Sequence, residues 1–286
     1  MKVELVYRPV MYFALTLSVT WATWFGAAYL SYRTGTEALQ TLLMLLGLCA
    51  PLTAAVILMQ GQRNRELRRE FWGRLLNLKR VKPIYWPVIL LLMPVTVLVA
   101  TALSLLLGQP ASQFNFASQF SFSAGLAPVL LVLILAPTLE ELGWRGYGVD
   151  SLRSKLGWLP ATLLFAGLWA IWHIPLYFIN HYYQNELWNT NGLYAANFIV
   201  SVLPAAVIMN WLYYKNNRSI AVCILFHLTL DAASEMFQTQ QFTKVIVTVI
   251  LLAIAFVITV KDAEFSAGNE TRQSHRTKSS KSVTTA

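Results

Sequence analysis

Long apolar runs separated by short polar segments dominate the chain up to about residue 260. Each run is close to the ~20 residues that a helix needs to cross the hydrocarbon core of a bilayer. The runs are continuous rather than alternating, which favours helices over barrel strands, and a spanning helix satisfies its own backbone hydrogen bonds. The pattern predicts an all-α polytopic membrane protein of about eight transmembrane helices. The predicted spans are 10–31, 38–60, 86–108, 124–149, 159–180, 195–214, 219–238 and 242–260.

The composition agrees with a membrane protein. Hydrophobic residues make up 56% of the 286 positions and charged residues 12%, against roughly 25% charged residues in a typical soluble domain. So few charges cannot cover a water-facing surface. The two cysteines, Cys49 and Cys223, lie inside apolar runs and form no CxxC pair. Neither a disulfide framework nor a cysteine metal site is therefore indicated.

The net charge of +9 reflects topology rather than nucleic-acid binding. If the N-terminus is cytoplasmic, 20 of the 22 Lys and Arg residues fall in cytoplasmic segments of the eight-span layout. The two exceptions are Arg33 and Lys244. Because basic residues concentrate on the cytoplasmic side of membrane proteins, this distribution predicts that both termini are cytoplasmic. A nucleic-acid partner is not expected.

The chain is predicted to contain one transmembrane domain and a tail. Residues 1–262 form the domain, with a motif-bearing core at about 124–237. Residues 263–286 are rich in Ser, Thr, Lys and Arg and are predicted to be a disordered basic cytoplasmic tail. Between the second and third spans, residues 61–85 are basic with interleaved apolar positions. They are interpreted as a connector on the anionic inner leaflet, with a substrate gate as the alternative.

Several ionisable residues lie at depth in the predicted spans. A charge near the bilayer centre costs at least ~2.5–3.5 kcal/mol, so each such residue is a functional hypothesis. Glu141 and Arg145 are four residues apart, as are His227 and Asp231, so each pair shares one helix face. Glu235 lies near the outer end of its span and is expected at the interface. The residues at depth are Glu140, Glu141, Arg145, His173, His227 and Asp231.

Glutamate and histidine together can activate water in two ways. In the first, Glu140, His173 and His227 hold a zinc ion, which lowers the pKa of its bound water to about 7. In the second, a desolvated glutamate acts as the base with help from histidine. The sequence has no HExxH zinc-protease helix and no GxSxG serine motif. Both routes stay open at this stage, and zinc is the one candidate cofactor.

Three motifs on these spans resemble those of the CPBP intramembrane protease family. This family contains type II CAAX prenyl endopeptidases and bacteriocin-processing or immunity proteins. Its EExxxR motif is matched at 140–145, its FxxxH motif at 169–173 with Trp in place of Phe, and its HxxxN motif at 227–231 with Asp in place of Asn. The motifs occur in order on separate predicted spans, and the eight-span layout is also similar.

The resemblance implies a role for each site residue. The family's glutamate and first histidine, here Glu140 and His173, activate the water. Its second histidine and the residue four positions later, here His227 and Asp231, orient the substrate or stabilise the oxyanion. An ionised aspartate cannot donate a hydrogen bond to an oxyanion. Asp231 is instead suited to orienting His227 or to binding a metal.

Two further positions complete the comparison with the family. Glu141 and Arg145 are expected to shape the site rather than to act in catalysis. Trp169 replaces the usual phenylalanine and is expected only to repack the wall of the site.

Together these observations predict an intramembrane endopeptidase, with its site open to the cytoplasmic side. Its substrate is expected to be a membrane-associated or lipidated protein or peptide, of CAAX or bacteriocin type, and its other partners are membrane lipids. The expected location is a prokaryotic plasma membrane. One alternative is a non-catalytic scaffold of the bacteriocin-immunity type. The other is a proton-coupled transporter, against which the chain shows no internal repeat.

Overall fold

The computed structural model describes residues 7–61, 65–117 and 129–262, and these residues form a helical bundle. The predicted all-α class is confirmed. The described residues form no β-strand, and their β-pairing is limited to an isolated bridge between Phe116 and Phe237. The predicted tail, 263–286, lies outside the described residues. The helices are α1 Pro9–Leu30, α2 Glu37–Gly61, α3 Arg65–Leu76, α4 Trp86–Leu105, α5 Val129–Gly143, α6 Val149–Arg153, α7 Trp158–Trp172, α8 Tyr183–Thr190, α9 Gly192–Lys215, α10 Ile220–Met236 and α11 Gln241–Lys261.

Among the residues that the structure describes, six helical stretches are long and apolar enough to cross a membrane, and they coincide with six of the predicted spans. The other two predicted spans, 124–149 and 219–238, contain α5 and α10. These two helices carry most of the ionisable positions, and residues 124–128 lie outside the described part of the chain. The six stretches are Pro9–Leu30, Glu37–Gln60, Pro83–Leu105, Trp158–Phe178, Gly192–Lys215 and Gln241–Lys261.

Very close helix packing positions α5. A Cβ atom at Gly143 would lie 2.4 Å from the backbone carbonyl carbon of Pro51 in α2, so only glycine allows the two backbones to approach this closely. Gly143 ends α5 less than one turn after Glu140 and Glu141. The contact therefore fixes the depth and rotation of the helix turn that carries both carboxylates. Helix α5 also packs against α10, which carries His227.

The connector between α2 and α4 is not the peripheral segment that its sequence predicts. In α3, Phe71 and Arg74 are buried in the bundle. Arg74 Nη1 lies 2.7 Å from Asp150 Oδ2, and Arg218 Nε donates to the same oxygen over 3.1 Å. Burial alone would raise the pKa of the Asp150 carboxyl, but Arg218 and Arg74 together lower it below its usual value.

Candidate active site

The four residues predicted to be catalytic line one cavity of about 330 Å³. They come from three elements: Glu140 from α5, His173 from the end of α7, and His227 and Asp231 from α10. Helix α7 ends at Trp172 because Pro175 has no amide hydrogen with which to continue it. The structure thus brings together the residues that the motifs nominate.

Two tryptophan side chains hold the Glu140 carboxylate. Trp169 Nε1 donates to Glu140 Oε2 over 3.0 Å, and Trp144 Nε1 donates to the same oxygen over 3.3 Å. Glu140 is only 7% exposed. In the described part of the chain, its second oxygen, Oε1, has no hydrogen-bond partner. The carboxylate is therefore oriented by two fixed N–H groups and keeps one oxygen for a cavity water.

His173 has a defined tautomer. Its Nδ1 atom lies 2.7 Å from the backbone oxygen of Trp169, and because a carbonyl oxygen can only accept, Nδ1 carries the proton. In the neutral ring, Nε2 then has a free lone pair. Phe198 and Trp172 pack edge-on against the imidazole at centroid distances of 5.3 and 4.8 Å. The ring is thus oriented to accept a proton through Nε2.

Glu141 links the two motif helices behind the cavity. Arg145 Nη1 lies 2.8 Å from both Glu141 oxygens, which confirms the predicted pairing on one helix face. His227 Nδ1 donates to Glu141 Oε1 over 3.0 Å. Arg145 Nη2 donates to Asn210 Oδ1 in α9 over 3.2 Å. All of these groups except His227 are fully buried, so Glu141 and Arg145 position His227 without facing the cavity.

His227 and Asp231 stack on one face of α10, as their spacing predicts. The His227 Nε2 and Asp231 Oδ2 atoms are 3.8 Å apart, which is too long for a hydrogen bond. The Asp231 side chain is 19% exposed and that of His227 is 7% exposed. The pair is therefore electrostatic, and Nε2 of His227 stays available to a group in the cavity.

A π-helical turn at Trp144–Gly148 directly follows α5 in the chain. It lies against the buried α3 helix of the connector. Single π-turns inside α-helices occur frequently at functional sites. Arg74 donates to the carbonyl oxygens of Gly146 at 2.9 Å and of Arg145 at 3.3 Å. The Tyr213 hydroxyl also lies 2.9 Å from the Arg145 oxygen. Helix α3 thus supports the backbone of the turn from which Arg145 reaches Glu141.

The predicted zinc ligands do not form a recognisable metal site in the described part of the chain. Glu140, His173 and His227 line the same cavity, but within the described ranges no three His, Cys, Asp or Glu side chains are placed to hold a metal ion. Zinc needs ligand atoms at about 2.0–2.2 Å from one point. The indoles of Trp144 and Trp169 also occupy one Glu140 oxygen. No catalytic step is accordingly derived through a metal.

The cavity extends away from the basic end of the molecule. Its far end is lined by Tyr183, Gln241 and Lys244, where α8 and α11 begin. Arg74 and Asp150 lie at the opposite end of the bundle, where α4, α7 and α10 begin. The opening of the site toward the cytoplasm stays a prediction.

Sequence reasoning missed the partners of the site residues. Trp169 is expected only to repack a wall, but it donates to the Glu140 carboxylate. The signal available was its spacing from His173, together with the indole N–H that phenylalanine lacks. Asn210 was also missed, although it is a polar residue inside a long apolar run. Glu235, expected at the interface, is 5% exposed and lies 3.5 Å from Lys244.

Comparison with known proteins identifies the family. Residues 121–233 match the family described as "Type II CAAX prenyl endopeptidase Rce1-like". The chain is 42% identical over 256 residues to CAAX prenyl protease 2 of Methanococcus maripaludis. The aligned region covers 90% of this chain and 94% of that protein. Neither match names a bacteriocin-processing or immunity protein. The chain therefore belongs to the Rce1-like type II CAAX prenyl endopeptidase family, and it is a peptidase of the membrane.

Proposed function

We propose that this protein removes the last three residues from membrane proteins or peptides that end in a prenylated CAAX sequence. The observation that carries the proposal is the Glu140 carboxylate, held by two indoles on a cavity wall that also presents His173 and His227. The substrate class rests on the name of the 42% identical archaeal relative. The proposed location is the cell membrane of a prokaryote.

The shape and chemistry of the cavity suit a prenylated peptide. Most of the cavity surface is apolar, and Glu140, His173, His227 and Asp231 are among the polar residues that line the rest. An isoprenoid chain needs such apolar surface, since its transfer from water gains about 0.8 kcal/mol for each buried methylene-sized group. Apolar lining residues include Met44, Leu48, Met93, Leu133, Val202 and Leu251.

In the proposed first step, a water molecule bound to Glu140 Oε1 attacks the carbonyl carbon of the scissile peptide bond. Glu140 takes one proton from this water, while His173 Nε2 accepts a hydrogen bond from it and keeps it oriented. A new C–O bond forms and the carbonyl oxygen becomes an oxyanion. The two indole donors keep the Glu140 oxygens in place, so little reorganisation is needed as charge moves.

His227 is proposed to stabilise the oxyanion through Nε2–H. Its other nitrogen donates to Glu141, and Asp231 at 3.8 Å favours the positively charged ring. Asp231 thereby supports the oxyanion donor instead of serving as one, which accounts for aspartate where the family has asparagine.

In the last step, the proton held by Glu140 passes to the leaving nitrogen and the C–N bond breaks. The products are a new carboxylate on the prenylcysteine and a free tripeptide.

Cleavage assays on the purified protein test this proposal. We expect wild type to cleave a quenched peptide that ends in a prenylated CAAX sequence, and Glu140→Ala to lose at least about 100-fold in kcat, as removal of a general base does. Glu37→Ala, which removes an exposed glutamate in α2, serves as the matched control and should retain full activity. A zinc chelator in parallel reactions should leave the rate unchanged.

Three results would count against the proposal. Equal cleavage by wild type and Glu140→Ala would show that the assigned cluster is wrong. Loss of activity with the chelator, restored by zinc, would replace the glutamate route by a metal route. A complete lack of cleavage by wild type, on prenylated and unprenylated peptides, would favour the scaffold or transporter alternatives.

A further inference from the structure

Lys244 stands apart from the other basic residues of the chain. It is one of two Lys or Arg residues outside the predicted cytoplasmic segments. It lies in the first turn of α11, a helix long and apolar enough to span the membrane, and its side chain is only 17% exposed. A lysine at the end of a membrane helix usually reaches toward water, so its burial inside the bundle makes a functional role the first hypothesis for it.

The Lys244 side chain points into the cavity of the active site. Among the described residues that line this cavity, it is the one lysine or arginine, and it shares the cavity with the carboxylates of Glu140 and Asp231. Its ammonium is at the far end, beside Tyr183 and Gln241. The cavity therefore has acidic groups at the hydrolytic end and a lysine, paired with Glu235, at the other.

The partners of Lys244 fix its position but leave it able to bind an anion. The Nζ atom donates to the Tyr183 hydroxyl over 3.2 Å and lies 4.9 Å from the centre of that ring. Glu235 Oε1 is 3.5 Å away, longer than the 2.7–2.9 Å typical of charge-assisted bonds. An ammonium has three donors.

The spacing between Lys244 and the catalytic residues matches a short peptide. His227 lies nine residues before the end of α10, and Lys244 lies three residues after the start of α11. The two helices are joined by residues 237–240 and are in contact near the joint through Glu235 and Lys244. At 1.5 Å per residue, the two side chains differ in depth by about 9 Å. Three extended residues span about 10 Å.

We propose that Lys244 binds the C-terminal α-carboxylate of the substrate, three residues beyond the bond that is cleaved. The inference rests on the proposed CAAX endopeptidase function, because a CAAX sequence places its carboxylate at that distance from the scissile bond. Tyr183 and Glu235 hold the ammonium at the end of the cavity. The enzyme would thereby measure the distance from the prenylated cysteine to the end of the chain and select substrates with three residues after it.

The test combines a change in the protein with a change in the substrate. Wild type and Lys244→Met are each assayed on a prenylated CAAX peptide with a free carboxylate and on the same peptide with a C-terminal amide. We expect amidation to lower kcat/KM of wild type by about 10- to 100-fold, which is the usual effect of losing a hydrogen bond to a charged group. Lys244→Met should be equally slow on both peptides. Lys244→Arg should keep a preference for the carboxylate.

Two controls keep the test decisive. Lys261→Met removes an exposed lysine at the other end of the same helix and should leave the preference for the free carboxylate intact. Binding of the fluorescent carboxylate and amide peptides to Glu140→Ala, with and without Lys244→Met, measures the same preference without cleavage. This second measurement applies even if Lys244→Met is poorly active for other reasons.

The outcomes separate this inference from the function on which it rests. If wild type cleaves in a Glu140-dependent manner but treats the carboxylate and the amide alike, Lys244 does not bind the terminus and the endopeptidase proposal stands. The same conclusion follows if Lys244→Met keeps the full preference. If wild type neither binds nor cleaves a CAAX peptide in either form, the proposed function and this inference are both wrong.

Discussion

At the level of single residues, the main feature is how hydrogen bonds hold the buried Glu140 carboxylate. Glu140 accepts hydrogen bonds from Trp169 and Trp144, neither of which carries a charge. Neutral N–H donors orient the carboxylate without neutralising it, so it remains a base. The positively charged side chain nearby, Arg145, forms its ion pair with the adjacent Glu141 instead. The two neighbouring glutamates of α5 thus have different partners, which supports the different roles proposed for them.

Trp169→Phe is the sharpest residue-scale test of this arrangement. Phenylalanine is the usual family residue and keeps an aromatic ring against Phe165 and His227, but it cannot donate to Glu140. We expect kcat to fall about tenfold, the effect of losing one hydrogen bond to a charged group, while KM changes little. The measurement is steady-state kinetics on a prenylated CAAX peptide.

Trp172→Phe is the matched control for that substitution. Trp172 also lines the cavity, but its indole donates to Thr20 Oγ1 over 2.8 Å rather than to Glu140. An equal loss of kcat in both variants would mean that the Trp169 indole has no specific role at the carboxylate.

Some parts of this site were predictable from sequence and others were not. Pairs four residues apart, such as Glu141 with Arg145, follow from helix periodicity alone. The contacts of Glu140 with Trp169 and of Arg145 with Asn210 join different helices. Such contacts depend on which helix faces meet, and hydrophobic runs that are apolar on all sides carry no such information.

At the level of secondary-structure elements, the π-turn after α5 packs against the connector. The α3 helix inserts Arg74 beneath the turn, where it contacts the backbone of Gly146 and the carboxylate of Asp150. The apolar-run pattern locates the spans well, since long runs define them. It could not locate this contact, because a basic segment with interleaved apolar residues fits a membrane surface as well as a protein groove.

We expect Arg74→Met to destabilise the protein by about 3 kcal/mol, because Asp150 and the backbone carbonyls of the turn lose a buried partner. The measurement is thermal unfolding of the purified protein in detergent. Arg69→Met removes an exposed arginine from the same helix and should leave the unfolding temperature almost unchanged. A similar shift for both variants would show that Arg74 contributes no more than its surface charge.

At the scale of the whole molecule, the basic end and the cavity lie toward opposite ends of the bundle. The positive-inside rule predicts that the end with Arg74 and Arg218 faces the cytoplasm. The end of the cavity lined by Tyr183, Gln241 and Lys244 then lies on the side away from the cytoplasm. Fold class and span positions follow from composition, but the place of the cavity depends on how the helices pack.

Labelling of single cysteines from outside intact cells tests the predicted orientation. In a background of Cys49→Ser and Cys223→Ala, a cysteine at Ser154 near the basic end should be protected from a membrane-impermeant maleimide. A cysteine at Thr34, in the exposed turn between α1 and α2, should be labelled. The reverse pattern would show that the basic end is external and that the cavity faces the cytoplasm.

The central claim is that a water activated by Glu140 cleaves a CAAX sequence after its prenylated cysteine. Mass spectrometry of the products, from purified wild type and from Glu140→Gln, tests it most directly. We expect wild type to release the intact tripeptide and to leave a prenylcysteine carboxylate, and Glu140→Gln, which keeps the shape of the side chain, to give neither product. Cleavage at another bond, or the same tripeptide from Glu140→Gln, would contradict it.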